Sequence, residues 1–369
     1  EEQMARSDGK ADVEFPQYEL GEVIAVYDRI LIDYANHDLA DDACFYKALA
    51  LRKIGSGAKA NDVLMYLTDR YPKSEYYVEA NMNIGSYYFN HPKIRGGKGY
   101  VLAEEAYKKV LQYRNHPQFI QALYHLGWCY YMQDEYDQAI SVFKYLVEEA
   151  RLDFDLTKRD EKRILNPLLR DEAIDYIAIS FDEERRVDDA IEFLELIGNV
   201  DYAAMVLKRI GQLREEDLDY EAAATVYRRL VNEYPMSLMA PDAMISLIKV
   251  YETLQRPAEV LALREEFYRS YAVGSDWHSA ASERDSTRIS DIDSMVISMG
   301  LYVADTYYRK AKESDARQGY ASAAQSYEFI VERYPDHPRA SEALWNLAVI
   351  LDKNLAKKKA AYNHYIRYS

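Results

Sequence analysis

Cysteine is nearly absent from this chain of 369 residues, which holds two copies, Cys44 and Cys129. Two are too few for a disulfide framework. They fall in the first and third of the helix pairs derived below, and non-neighbouring units of a stack do not touch, so no bond between them is expected. The pair leaves the redox compartment open. Glycine and proline are scarce, at 14 and 10, which excludes long flexible linkers. No run of about eighteen apolar residues occurs, so no helix is expected to span a membrane. Basic residues are outnumbered, 46 against 62 acidic, for a net charge of −16. That balance argues against nucleic acid, whose binding rests on phosphate contacts from Lys and Arg, and against anionic lipid. It favours a basic protein partner; a plain solvated acidic surface is the competing explanation.

Patterns that carry chemistry are missing as well. The seven histidines (His37, His91, His116, His125, His278, His337, His364) show no His-Glu-x-x-His spacing and no Cys/His cluster. Gly96-Gly97-Lys98-Gly99 lacks the phosphate-loop spacing and a preceding strand, and reads as an inserted loop. Ser275 and Ser279 flank Trp277 without a nucleophile-elbow sequence. No catalytic residue, metal ligand or cofactor site is expected.

Tyrosine is abundant, at 35 copies against 10 phenylalanines. Such a composition suits thin helical layers, where each ring buries its body and keeps its hydroxyl wet. The tyrosines sit in a repeating frame. Leu126-Gly127 is followed by Tyr136, Ala139 and Phe143, and Ile210-Gly211 by Tyr220, Ala223 and Tyr227 at the same offsets. Fixed-period similarity of this kind marks a stacked helix-turn-helix unit of about 34 residues. Eight anchors continue the frame: Ala48, Gly85, Gly127, Ala178, Gly211, Ile248, Ala304 and Ala348. The preceding residue is aliphatic except at Lys47, and the residue three later is large and apolar except at Arg214. A small residue follows twelve after most anchors, as at Ala60, Ala139, Ala190 and Ala223, where it lets two helices approach. The Gly85 and Ala304 units need six and seven extra residues, expected as longer loops within their pairs. Tyr71-Pro72, Tyr234-Pro235 and Tyr334-Pro335 end second helices, since proline cannot continue a helix.

The expected organisation is a poorly ordered segment at 1–17, a helical array over 18–271 with a charged insertion at 151–167, a loop excursion at 272–289, and further repeats over 290–369. Phe154, Leu156 and Trp277 are apolar enough to dock both interruptions on the array. The chain begins at Glu1 rather than Met, as a cleaved signal peptide or a longer parent chain would leave it. It stops at Ser369 directly after a second helix without a polar cap, so more protein, a partner or a second copy is expected there.

First helices line the concave side of such a stack, and the positions opposite the packed stripe face outward from it. In the Gly127 unit these are Gln121, Tyr124, Trp128, Tyr131 and Met132, a ring-rich set suited to anchoring an interface. Burial of Tyr124 and Trp128 against the next unit is the alternative. Trp345 supplies another ring, and acidic positions dominate elsewhere, including Glu172, Asp175, Asp182, Glu215, Glu216 and Asp305. An acidic groove attracts basic peptides.

These residues resemble the tetratricopeptide repeat family over roughly 18–369; Leu126, Gly127, Tyr130, Ala139 and Phe143 follow its consensus closely, while Lys47 and Arg214 depart from it, so irregular packing is expected there. The resemblance implies an all-α fold, a right-handed α-solenoid of stacked hairpins, serving as a non-catalytic protein-protein interaction scaffold. Tyr71-Pro72-Lys73-Ser74 and Tyr234-Pro235-Met236-Ser237 are similar to junctions in bacterial envelope proteins such as the barrel-assembly lipoprotein and the Tol-Pal coordinator. Residues 272–350 resemble envelope repeat proteins associated with gliding motility. This implies a periplasmic or outer-membrane-associated machine. A cytoplasmic adaptor, and an enzyme with its site on the 272–289 excursion, stay open as alternatives.

Overall fold

The computed structural model describes residues 20–152, 167–183, 186–197, 200–314 and 316–368. The terminal segment 1–17 and most of the charged insertion, with Phe154 and Leu156, lie outside the described residues. Among the described residues there are nineteen helices and no strand. The chain divides into two compact units, Glu1–Ala173 and Ile174–Ser369.

The first unit holds α1 (Leu20–Asp33), α2 (Ala40–Lys53), α3 (Gly57–Arg70), α4 (Tyr77–Phe89), the one-turn α5 (Ile94–Gly97), α6 (Gly99–Val110), α7 (Phe119–Tyr131) and α8 (Tyr136–Leu152). Hairpins form from α2 with α3, α4 with α6 and α7 with α8, each packing on the next, and α1 covers α2. Helix α9 (Pro167–Glu183) crosses the division. The second unit continues with α10 (Val187–Ile197), α11 (Val200–Glu216), α12 (Tyr220–Glu233), α13 (Ala240–Thr253), α14 (Pro257–Tyr271), α15 (Asp276–Ser282), α16 (Ser286–Ser314), α17 (Arg317–Arg333), α18 (Ala340–Lys353) and α19 (Lys358–Tyr368). Helices α9 and α10 meet through the rings of Phe181 and Phe193, and hairpins follow as α11/α12, α13/α14, α16/α17 and α18/α19.

All eight anchors are buried. The glycines among them have a specific reason. A Cβ on Gly127 would lie 2.5 Å from the Phe143 ring, and one on Gly85 the same distance from Tyr107. Gly211 stands against Tyr227 in the same way. The first helix therefore touches the aromatic of the second with backbone, and no side chain fits between them.

Hairpins end in a shared manner. Tyr71, Tyr234 and Tyr334, each before a proline, leave the helix at φ −124, −125 and −133° with ψ of 63, 53 and 55°. The proline ring pushes its predecessor out of the helical region, which fixes the exit angle. Inside hairpins the chain turns through a left-handed residue seven after the anchor: Gly55, Asp134, Leu218 and Gln255, at φ 77, 58, 61 and 56°. Polar links then tie groups about one repeat apart. Tyr71 donates to the Ala35 carbonyl at 2.6 Å, Tyr76 to Asp42 at 3.0 Å, and Arg114 pairs with Glu149 at 2.5 Å.

Three details differ from expectation. The insertion around 312–318 lengthens no loop, because α16 stays helical to Ser314 and absorbs it. Residues 272–289, expected as a loop, contain α15 and the start of α16; Trp277 on α15 is docked, at 3% exposure, with its indole N–H on the Ser237 carbonyl at 2.8 Å. The departures at Lys47 and Arg214 are ordered ion pairs with the neighbouring helices, Lys47 to Asp28 at 2.5 Å and Arg214 to Asp182 at 2.6 Å. Cys44 and Cys129 are buried free thiols. Burial pushes Cys44 up to about 11 and raises Cys129 as well.

Candidate partner-binding face

Helix α7 carries a ladder of rings. Tyr124 meets Trp128 edge-on, with centroids 6.4 Å apart, and Trp128 meets Tyr131 at 5.9 Å. Tyr131 reaches Tyr136 of α8 at 5.6 Å. Spacings of three and four residues place these side chains on one helical face. All three α7 rings are half-buried, between full core and full exposure, while Gln121 and Met132 are exposed. The ladder extends to α4, where Phe89 lies 6.5 Å from Trp128 and 5.3 Å from Tyr100. Phe89 was legible, since it sits four after its anchor just as Tyr131 does. Behind the ladder His125 stacks on Tyr107 at 5.2 Å, and burial pulls its imidazole below the ordinary histidine value.

The acidic positions are more engaged than their sequence suggests. Asp182 pairs with Arg214, which also donates to the Asp182 carbonyl at 2.8 Å. Burial raises the Asp182 carboxyl, and Arg214 opposes the rise. Arg209 lies 3.7 Å from Asp175 and 2.8 Å from Glu216. Glu215 accepts from the Tyr227 hydroxyl and Asp305 from the Tyr327 hydroxyl. Arg264, in the aromatic position of its repeat, donates to Glu252 at 2.5 Å much as Tyr227 does to Glu215. Glu172 is exposed. Much of this acidic surface is therefore tied to the hairpins' own cations and phenols. Trp345 is 47% exposed and meets Tyr365 of α19 edge-on at 5.5 Å.

Around the excursion, His278 lies 3.3 Å from Asp293, which also accepts from Tyr334 at 2.7 Å. These contacts close α15 onto α16 and the α17 junction. Among the described residues no group of His, Cys, Asp and Glu is arranged to hold a metal ion, and no helix is long and apolar enough to cross a membrane.

Paired helices packed on their neighbours, with a small residue under an aromatic in each pair, define an α-helical hairpin-repeat protein. Tetratricopeptide repeat family models match residues 121–150, 206–237 and 308–366, covering α7/α8, most of α11 and α12, and the stretch from α16 to α19. These stretches of the chain are tetratricopeptide repeats. No curated protein matches the chain. Among solved structures it is similar to a tetratricopeptide repeat protein from Parabacteroides merdae ATCC 43184, at 13% identity and a TM-score of 0.33, over 84% of this chain and 98% of that one. It is similar to a chain in a structure of Naa15/Naa10 bound to HypK-THB, at 15% identity and a TM-score of 0.39, over 96% of this chain and 56% of that one. A Rap protein complexed with competence and sporulation factor matches at 14% identity and a TM-score of 0.27, over 95% of this chain and 92% of that one.

Proposed function

We propose that this chain is a non-catalytic scaffold in a bacterial envelope machine, in the periplasm or at the outer membrane, holding a protein or peptide partner on the concave face lined by its first helices. The observation that carries the reading is the α7 ladder. Tyr124, Trp128 and Tyr131 present half-buried rings beside exposed Met132, the chemistry that anchors interfaces. Basic side chains of the partner are expected to meet acids such as Glu172, since most of the other acidic positions have partners within the chain. The Tyr-Pro-x-Ser junctions support the envelope location. A second copy is proposed to dock at the C-terminal end, where Trp345, Tyr362 and Ile366 are exposed.

The test is Trp128→Ala in the full chain. Partner capture from the envelope fraction of the native cells should fall while the thermal midpoint is kept. Loss of cooperative unfolding would assign the rings to the core. Recovery of the native protein in the cytosolic fraction would support the adaptor reading instead. Light scattering that gives a single monomer mass at every concentration would end the second-copy proposal.

A further inference from the structure

The second unit contains a cavity of about 610 Å³. It opens between the ends of α12 and α14, at the Pro235-Met236 junction and the segment leading into α15. This is where the excursion interrupts the register. Trp277 and Met244 form a buried apolar floor, and half-exposed Met236 stands on the wall.

The polar groups of the cavity set its ligand. Tyr271 is 2% exposed and lines the space, its ring edge-on to Trp277 at 5.2 Å. Its hydroxyl makes no hydrogen bond among the described residues. The hydroxyl is not sealed from the space, so a ligand that enters can bond to it. Two carboxylates complete the wall. Glu266 already accepts from Arg228 at 2.8 and 2.9 Å, whereas Asp276 is exposed and has no ion pair among the described residues. No lysine, arginine or histidine lines the space. An anion would meet two carboxylates in a chain of net charge −16. A purely apolar group would use the floor but neither the Tyr271 hydroxyl nor the Asp276 carboxylate at the rim.

We infer that the cavity is a subsite for a lysine side chain of a bound protein segment, with the ammonium on Asp276 and the Tyr271 hydroxyl and the stem against Met236 and Trp277. A compact ammonium with three donors on an apolar stem fits this division of polar rim and apolar floor. Burial and the nearby Glu266 raise the Tyr271 phenol, which keeps the hydroxyl neutral and its lone pairs available to an ammonium. The subsite rests on the proposed scaffold role and adds to it a docking point in the second unit.

The full chain, labelled at its methionine methyls with carbon-13, tests this by NMR titration with N-acetyl-lysine N-methylamide. The Met236 and Met244 signals should shift saturably while Met132, on the α7 side, stays fixed. The analogue acetylated on the side-chain amine should leave them unmoved, and Asp276→Asn should weaken binding about tenfold. Tyr271→Phe should weaken it less. Equal shifts with capped norleucine, no shift with capped lysine, or an unchanged affinity in Asp276→Asn would each overturn the assignment. Asp276 is on the surface, so that variant stays informative if Tyr271→Phe does not fold. Failure here leaves the α7 reading standing, because Trp128 and Met132 report that face separately.

Discussion

Arg214 and Asp182 face each other at 2.6 Å with side chains only 5% and 13% exposed, joining α11 to the preceding α9. The arginine occupies a position that the other repeats mostly fill with an aromatic or leucine. Removing one member strands the other in a poorly solvated place. Arg214→Ala is therefore expected to cost about 3–5 kcal/mol in urea unfolding. Pairing Arg214→Tyr with Asp182→Asn should recover most of it. A loss below about 1 kcal/mol for the single variant would mean that solvent screens the pair.

The close approach at Gly127 gives a second expectation. Valine there drives two methyl groups into Phe143, whose ring already lies 2.5 Å from where a Cβ would sit. Overpacking of this kind costs about 1–3 kcal/mol. Phe143→Leu added to Gly127→Val should return part of the loss in a double-mutant cycle, whereas strict additivity would show that the two positions do not press on each other.

Leu218 is 70% exposed and holds φ at 61°, the left-handed region, with no packing to offset the strain. Leu218→Gly should raise stability by about 1 kcal/mol, measured by chemical denaturation. A neutral or negative result would show that the greater unfolded-state freedom of glycine outweighs the relief.

His125 makes stability depend on pH. Burial lowers its folded-state pKa below the ordinary 6.5, so the unfolded chain binds the proton more readily. This contribution is complete above pH 6.5 and is lost as pH falls below it. The drop in thermal midpoint between neutral and mildly acidic buffer should be smaller in His125→Phe. An identical drop in both proteins would place the sensitivity elsewhere.

The repeat frame was readable because close helix packing leaves a spaced signature. Gly127, twelve residues before Ala139 and sixteen before Phe143, shows it in one line of sequence, and the Gly85 unit shows it again once its six extra residues are removed. The hairpin turn was not readable. Asp134, Leu218 and Gln255 share one backbone conformation but no side-chain chemistry, because the helices on either side impose it. The fate of the second insertion was hidden too, since a charged stretch reads equally well as loop or as solvent-facing helix. At the candidate face, spacing placed Tyr124, Trp128 and Tyr131 together but gave no sign that Arg209 and Arg214 would engage the nearby acids. Such pairings join residues about thirty apart whose meeting depends on the stacking itself.

The sealed positions of Cys44 and Cys129 have a practical consequence. A thiol that water cannot reach and that resists ionisation reacts slowly with maleimides. A cysteine introduced at an exposed site, such as one replacing Glu172, becomes the first to be labelled. Fluorophores can then be attached at chosen points of the native chain, and separations between hairpins tracked in solution, without removing either natural cysteine.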